Sequence, residues 1–225
     1  MSDPLIRCAG LVHVYPDGTR ALDSIDLEIA GGERLALTGP NGSGKTTLVR
    51  HWNGLLRPTA GTITIGGRST EDRHVAELAR EVGIAFQDPS AQLFASTCRG
   101  EVAFGARNAG DRGRNLETIV DESLDRVGLL DRAASNPYDL GLSKRRLLTI
   151  AAVLAMRPRV VVLDEPTIGL DAAEVGLVRH AVEAEAARGS TVVAISHDRR
   201  LLTGTFGRVL VLEAGRMVAD GAQEA

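Results

Sequence analysis

The sequence predicts an α/β fold in which a mostly parallel core sheet is flanked by helices. Two stretches carry the prediction. From Val160 the pattern runs strand, helix, strand over 160–163, 172–187 and 191–195, and neighbouring parallel strands need a helical crossover of that kind. Earlier, the short apolar run 34–38 passes through a glycine-rich segment into an apolar helix over about 45–55. A chain of 225 residues, 44% apolar and 24% charged, is long enough to bury a real core as one domain, 1–225.

The other elements follow in order. Leu11, Val12, Val14 and Tyr15 precede a turn at Pro16-Asp17-Gly18, and Leu22, Ile25, Leu27 and Ile29 give near-alternation into Gly31-Gly32. Residues 5–38 therefore read as strands. A further short strand over 62–65 ends at Gly66-Gly67, and another covers 82–86. Residues 99–157 favour helices, with polar breaks at 108–114 and 135–140. The run 209–212 followed by 215–218 reads as a hairpin, and neither an internal repeat nor a low-complexity linker is visible.

Composition excludes several classes. Net charge is −3, which does not support a basic coat for nucleic acid. The longest uncharged apolar run, 150–156, is far below the roughly 18 residues a spanning helix needs. No basic stretch followed by an apolar one marks a secretory signal. Cys8 and Cys98 have no metal-ligand spacing and read as reduced thiols. Of 26 basic residues only two are lysine, Lys45 and Lys144, so the place of each is informative.

Gly39-Pro-Asn-Gly-Ser-Gly-Lys45-Thr46 fits G-x-x-x-x-G-K-[ST] in full, between a predicted strand and a predicted helix. Glycines let consecutive backbone N–H groups curl around phosphate oxygens, and the helix N-terminus adds partial positive charge. The candidate nucleotide-binding positions are Asn41, Gly42, Ser43, Gly44, Lys45, Thr46 and Thr47. Lys45 supplies a full charge to the outer phosphates, and the Thr46 hydroxyl can ligate Mg²⁺. The strand 160–163 runs on into Asp164 and Glu165. Asp164 suits a water-mediated Mg²⁺ contact. Glu165 suits orienting or deprotonating an attacking water. His197 follows the strand 191–195, at the sheet edge where ligands bind. It either hydrogen-bonds a γ-phosphate or is a solvated, helix-capping histidine. Gln87 stands in the same relation to 82–86; its amide can contact Mg²⁺ and the water, or it is an ordinary loop residue.

Together these residues resemble the ATPase of the ATP-binding-cassette (ABC) superfamily over about residues 5–220. The resemblance implies a P-loop NTPase of ABC type binding ATP and Mg²⁺. It implies a catalytic core with an N-terminal antiparallel β-subdomain (about 5–90 and 158–220) and a helical signature subdomain (about 91–157). Tyr15 would stack on adenine, with a core aromatic as the other reading, and Asp171 of Gly169-Leu-Asp171 would cross a dimer interface. Tyr15-Pro-Asp-Gly-Thr-Arg-Ala-Leu, Asn53-Gly-Leu-Leu-Arg-Pro-Thr and Phe86-Gln-Asp-Pro-Ser-Ala-Gln-Leu-Phe94 are similar to the ATPases of energy-coupling-factor importers of vitamins and transition-metal ions. In that family two ATPase subunits sandwich two ATP molecules head to tail. They move short helices of an integral membrane coupling subunit, while a separate membrane subunit binds the solute. The chain would then sit peripherally on the cytoplasmic face of the cell membrane. The groove for those helices would lie near 87–104, with Leu93, Phe94, Arg99 and Phe104 as an amphipathic lining or, for the aromatics, as core.

One segment departs from the family. Leu140-Gly-Leu-Ser-Lys144 stands where Leu-Ser-Gly-Gly-Gln is usual. Gly141 replaces the serine that would reach the partner's γ-phosphate. Leu142 and Ser143 replace two glycines, and Lys144 replaces the glutamine. The resemblance therefore predicts a heterodimer with a different ATPase subunit and one degenerate site. A hydrolysis-poor structural subunit and a non-transport ABC ATPase are the alternatives.

Overall fold

The computed structural model describes residues 3–222. Strands β1 (Ile6–Val14), β2 (Arg20–Ile29) and β3 (Arg34–Thr38) lead into helix α1 (Lys45–Trp52). Then come β4 (Ala60–Ile65), β5 (Arg68–Ser69), α2 (Val75–Glu81) and β6 (Val82–Ala85). Three helices follow, α3 (Cys98–Ala109), α4 (Gly113–Arg126) and α5 (Leu142–Ala155). After them stand β7 (Val160–Asp164), α6 (Ala172–Ala187), β8 (Thr191–Ile195), α7 (Arg199–Leu202), β9 (Arg208–Glu213) and β10 (Arg216–Ala222).

The strands form two sheets. One is antiparallel in the order β2-β1-β4-β5. The other has the order β10-β9-β3-β8-β7-β6, parallel from β9 to β6 with β10 antiparallel at its edge. Side chains of the parallel strands alternate between two cores. Leu35, Leu37, Val160, Val162, Val193 and Ile195 join the core shared with the antiparallel sheet and α1. Ala36, Val161, Leu163, Val192 and Ala194 join the core built by α3, α4, α5 and α6. With both faces covered, β7 and β8 are buried at every position, which is why each reads as an unbroken apolar run. β2 packs on one face only and alternates buried with exposed residues from Ser24 to Ile29.

Because β3, β8 and β7 are parallel neighbours, the segments that follow them emerge at one edge of the sheet. That topology places the site. A few boundaries differ from expectation. Helix α1 stops at Trp52, short of Leu55, because Gly54 takes a φ of 77° and its N–H bonds back to the His51 carbonyl. The break expected over 108–114 shrinks to 110–112: α3 runs to Ala109, Gly110 caps it at φ 111°, and α4 already begins at Gly113. Helix α2 shows no apolar face to the sequence, since Leu78 is its one buried residue. Cys8 and Cys98 are buried free thiols, and burial pushes Cys8 up to about 12.

Gly39, the first glycine after β3, is required by packing. Its φ is 132°, and a Cβ there would lie 1.9 Å from the Leu212 carbonyl oxygen of β9. Gly39→Ala is expected to cost about 3–4 kcal/mol of stability. Urea unfolding should show a lower midpoint with an unchanged slope. A loss below about 1 kcal/mol, the size of an ordinary surface effect, would contradict the packing argument.

Candidate active site

Residues 39–44 join β3 to α1 as a tight loop. Its shape is set from outside as well as within: Gly44 sits at φ 104°, where a Cβ would meet the Ala21 carbonyl oxygen at 2.4 Å. Ser43 N–H donates to the Pro40 carbonyl at 3.2 Å, and Gly215 N–H donates to the Ser43 carbonyl at 3.0 Å, fastening the loop to the β9–β10 turn. The loop opens onto a cleft of about 720 Å³. Asn41, Gly42, Ser43, Gly44, Lys45, Thr46 and Thr47 all line it, as do Tyr15, Gln87, Asp164, Glu165 and His197. Every predicted nucleotide-binding and catalytic residue thus meets in one place, drawn from segments up to 182 positions apart (Tyr15 and His197).

Lys45 is buried and folds back on the loop. Its Nζ donates to the Gly39 carbonyl at 2.6 Å and to the Pro40 carbonyl at 2.9 Å. Burial holds its value below that of an ordinary lysine, against the pull of Glu165 and Asp164. Thr46 Oγ1 donates to Asp164 Oδ2 at 2.9 Å, while Asp164 Oδ1 is buried with no hydrogen-bond partner. Burial raises the Asp164 carboxyl above its usual range, partly offset by the Thr46 bond. Ser43 Oγ is likewise buried and unpartnered. Orphaned buried oxygens of this kind mark a place where a ligand completes the hydrogen bonding.

Glu165 takes a φ of 49°, a strained conformation for a side-chain-bearing residue. Its N–H donates to the Ile195 carbonyl at 2.8 Å, which ties the end of β7 to the end of β8. That tie brings His197 Nε2 to 3.9 Å from Glu165 Oε1. Burial raises the Glu165 carboxyl, and the facing His197 counteracts part of the rise. The cleft therefore combines a backbone cradle for anionic oxygens, a buried cation, a carboxylate beside a hydroxyl, and a second carboxylate next to an imidazole. Thr46, Asp164 and Gln87 offer only oxygen and amide donors. Among the described residues no cluster of three or more His, Cys, Asp or Glu side chains forms a closed metal cage. Such an open oxygen set fits Mg²⁺, which keeps waters and phosphate oxygens among its ligands.

Other expected residues lie outside the cleft. Gly141 precedes α5 as its N-cap, with extended backbone and open space around it, and α5 has no side-chain cap. Leu142 and Lys144 are exposed and Ser143 half-buried on the first turn. Asp171 caps α6: Glu174 N–H donates to Asp171 Oδ1 at 2.8 Å, and Asp171 N–H donates to Glu174 Oε2 at 3.1 Å. This capping box is a structural use of Asp171 in addition to the expected interface role. Leu93 is a core residue, unlike its exposed neighbours Phe94 and Phe104. It corrects the expectation that Leu93 lines a surface groove.

Arg146 escaped sequence reading. It is buried on α5, and its guanidinium donates to the Ile168 carbonyl and, at 3.2 Å, to the Gln87 carbonyl. One side chain thus links the helix after Gly141 to the segments carrying Gln87 and Asp171. Arg146→Ala leaves both carbonyls without that donor. It is expected to cost about 2–3 kcal/mol in chemical denaturation, and loss of less than 1 kcal/mol would show that water replaces the guanidinium.

The comparisons agree with this geometry. The ABC transporter family matches residues 22–168. A Streptomyces avermitilis protein named as an ABC transporter ATP-binding protein is 44% identical over 98% of this chain and 83% of its own length. The energy-coupling factor transporter ATP-binding protein EcfA of Methanothermobacter thermautotrophicus is 40% identical over 96% of this chain and 70% of its own. The structure of CbiO1 from Clostridium perfringens, part of the ABC transporter complex CbiONQ, superposes with a TM-score of 0.85 at 32% identity, covering 98% of this chain and 89% of that one. With a complete phosphate loop at the carboxyl edge of a parallel sheet, this chain belongs to the ABC transporter family as an ATP-binding subunit that hydrolyses ATP.

Proposed function

We propose that this subunit powers an importer of the energy-coupling-factor type, for a vitamin or transition-metal ion, as half of a head-to-tail ATPase dimer docked on a membrane subunit. The observation that carries the catalytic part is the meeting of Lys45, Thr46, Asp164, Glu165 and His197 around one cleft. The importer type is supported by the likeness to EcfA and to CbiO1 along nearly the whole chain.

In this reading the loop amides and Lys45 bind the β- and γ-phosphates, with Nζ exchanging loop carbonyls for phosphate oxygens. Tyr15 stacks on the base. Thr46, Gln87 and, through water, Asp164 hold Mg²⁺, which when bound neutralises charge on the phosphates. Glu165 orients the attacking water and accepts its proton as the bond to the γ-phosphorus forms and the bond to the bridging oxygen breaks. His197 donates to the γ-phosphate. Exposed Phe94 and Phe104, packed edge to face at 4.7 Å, give the membrane subunit's helix an apolar seat. No helix among the described residues is long and apolar enough to cross a membrane.

The uncapped N-terminus of α5 presents free N–H groups outward, suited to the partner subunit's γ-phosphate. Without a hydroxyl at Gly141 this half of the shared site is weak, which favours a heterodimer. The purified chain alone is expected to turn over ATP far more slowly than the complex assembled with a second ATPase and its membrane subunits. Gly141→Ser meets no steric obstacle and is expected to raise turnover of the complex. Full turnover by the chain alone, or no gain from Gly141→Ser, would count against the degenerate site. Vesicles loaded with the complex and tested for ATP-dependent uptake of vitamins and divalent metal ions identify the solute class.

A further inference from the structure

We propose that His13 and His51 are positioning residues for the nucleotide, which hold the Tyr15 ring and the Thr47 peptide in one closed circuit. The proposal rests on the reading of Tyr15 as the residue that stacks on the base.

His13 lies on β1 and His51 on α1, 7% and 1% exposed. The Thr47 carbonyl can only accept, so His51 Nδ1 carries the hydrogen and donates to it at 2.7 Å. His51 Nε2 is then the acceptor, and His13 Nδ1, 3.1 Å away, donates to it. The Arg57 carbonyl, 3.2 Å from the same His13 nitrogen, is also a pure acceptor and requires the same tautomer. The His13 and Tyr15 rings form a T-shaped pair, with centroids 4.6 Å apart and planes at 85°. The Tyr15 hydroxyl and Thr47 Oγ1 close the circuit at 2.9 Å.

Tyr15 and Thr47 line the cleft, and neither histidine does. The pair therefore acts on the nucleotide only through those two residues. Tyr15 directly precedes the turn at 16–18 and is half-buried, so its ring plane is held by the T-shaped contact with His13 and by one hydroxyl bond. Stacking gains from a ring that is already in place. His51 does the same for the Thr47 carbonyl, one residue beyond Thr46. The two histidines should thus be separable: His13 governs the base, and His51 governs base and phosphates together.

The test compares binding of Mg²⁺-ATP with binding of Mg²⁺-tripolyphosphate, which has no base, to the purified full chain by calorimetry. His13→Ala and Tyr15→Ala are each expected to weaken ATP about three- to tenfold while tripolyphosphate stays within about twofold. The double variant should fall no further than Tyr15→Ala. His51→Phe, which keeps ring volume but loses the donor to Thr47, should weaken both ligands. Emission of Trp52, the only tryptophan, reports that each variant folds, and His13→Leu replaces His13→Ala with the same expectation if the latter does not. If His13→Ala leaves the ratio of the two affinities unchanged while Tyr15→Ala lowers it, the positioning proposal is overturned and the stacking reading survives. If Tyr15→Ala itself leaves the ratio unchanged, the stacking reading fails and the proposal with it.

Discussion

Glu165→Gln in the assembled complex is expected to lower ATP turnover by at least about a hundredfold, with ATP binding retained. Glutamine keeps the size of the side chain and leaves the N–H bond to Ile195 intact, but it cannot accept a proton. Its Oε1 would still face His197 across the distance now set by Glu165, 3.9 Å, so a loss of rate reports chemistry and not collapse of the site. A hydrolysis-poor structural subunit would show no difference between the variant and the wild type. The pH dependence sharpens the test. Burial raises Glu165 above the ordinary glutamate value of 4.5, and the base works only when ionised. Activity should therefore fall as pH drops through that raised value, placing the acid limb of kcat/KM above 4.5. An acid limb at or below the ordinary value would remove Glu165 from the role.

Lys45→Ala is expected to weaken ATP binding by about a hundredfold or more, the loss typical of a charge-stabilising donor in a desolvated site. The loop is built around this ammonium: Nζ spans two carbonyls of its own loop at 2.6 and 2.9 Å and is surrounded by Asp164 and Glu165. Lys45→Arg should not restore binding, because a planar guanidinium needs a wider, forked set of acceptors than this compact pocket offers. Calorimetric titration with ATP, with circular dichroism to confirm the fold, reads both variants. ATP binding by Lys45→Arg at the wild-type level would show that charge alone suffices.

Lys45 was legible because its meaning is local: six residues upstream and one downstream specify a loop that few other functions need. Asp164, Glu165 and His197 were legible for a related reason. Each ends or closely follows a buried strand, and parallel strands put their ends at one edge whatever the side chains nearby. Leu93 and Phe94 show where that logic runs out. Both are apolar and adjacent, yet one is buried in the helical core and the other is exposed, a division set by how α3 and α5 pack around the segment. Lys144, the second lysine, is exposed on the first turn of α5 and away from this chain's own cleft, so its consequence depends on a partner surface.

The sequence by itself determined the parallel core, the phosphate loop and the order of the chemical groups around it, because burial on both faces and glycine spacing leave a direct imprint on consecutive residues. Tertiary structure alone decided the rest. Gly39 is glycine because the Leu212 carbonyl of β9 lies against it. Arg146 matters because two carbonyls from distant segments converge on it. His13 and His51, 38 positions apart, meet behind Tyr15 and Thr47. The first two depend on backbone carbonyls brought in by packing, and a backbone carbonyl looks the same at every position of a sequence until the fold places it; the histidine pair depends on two side chains that only the fold brings together.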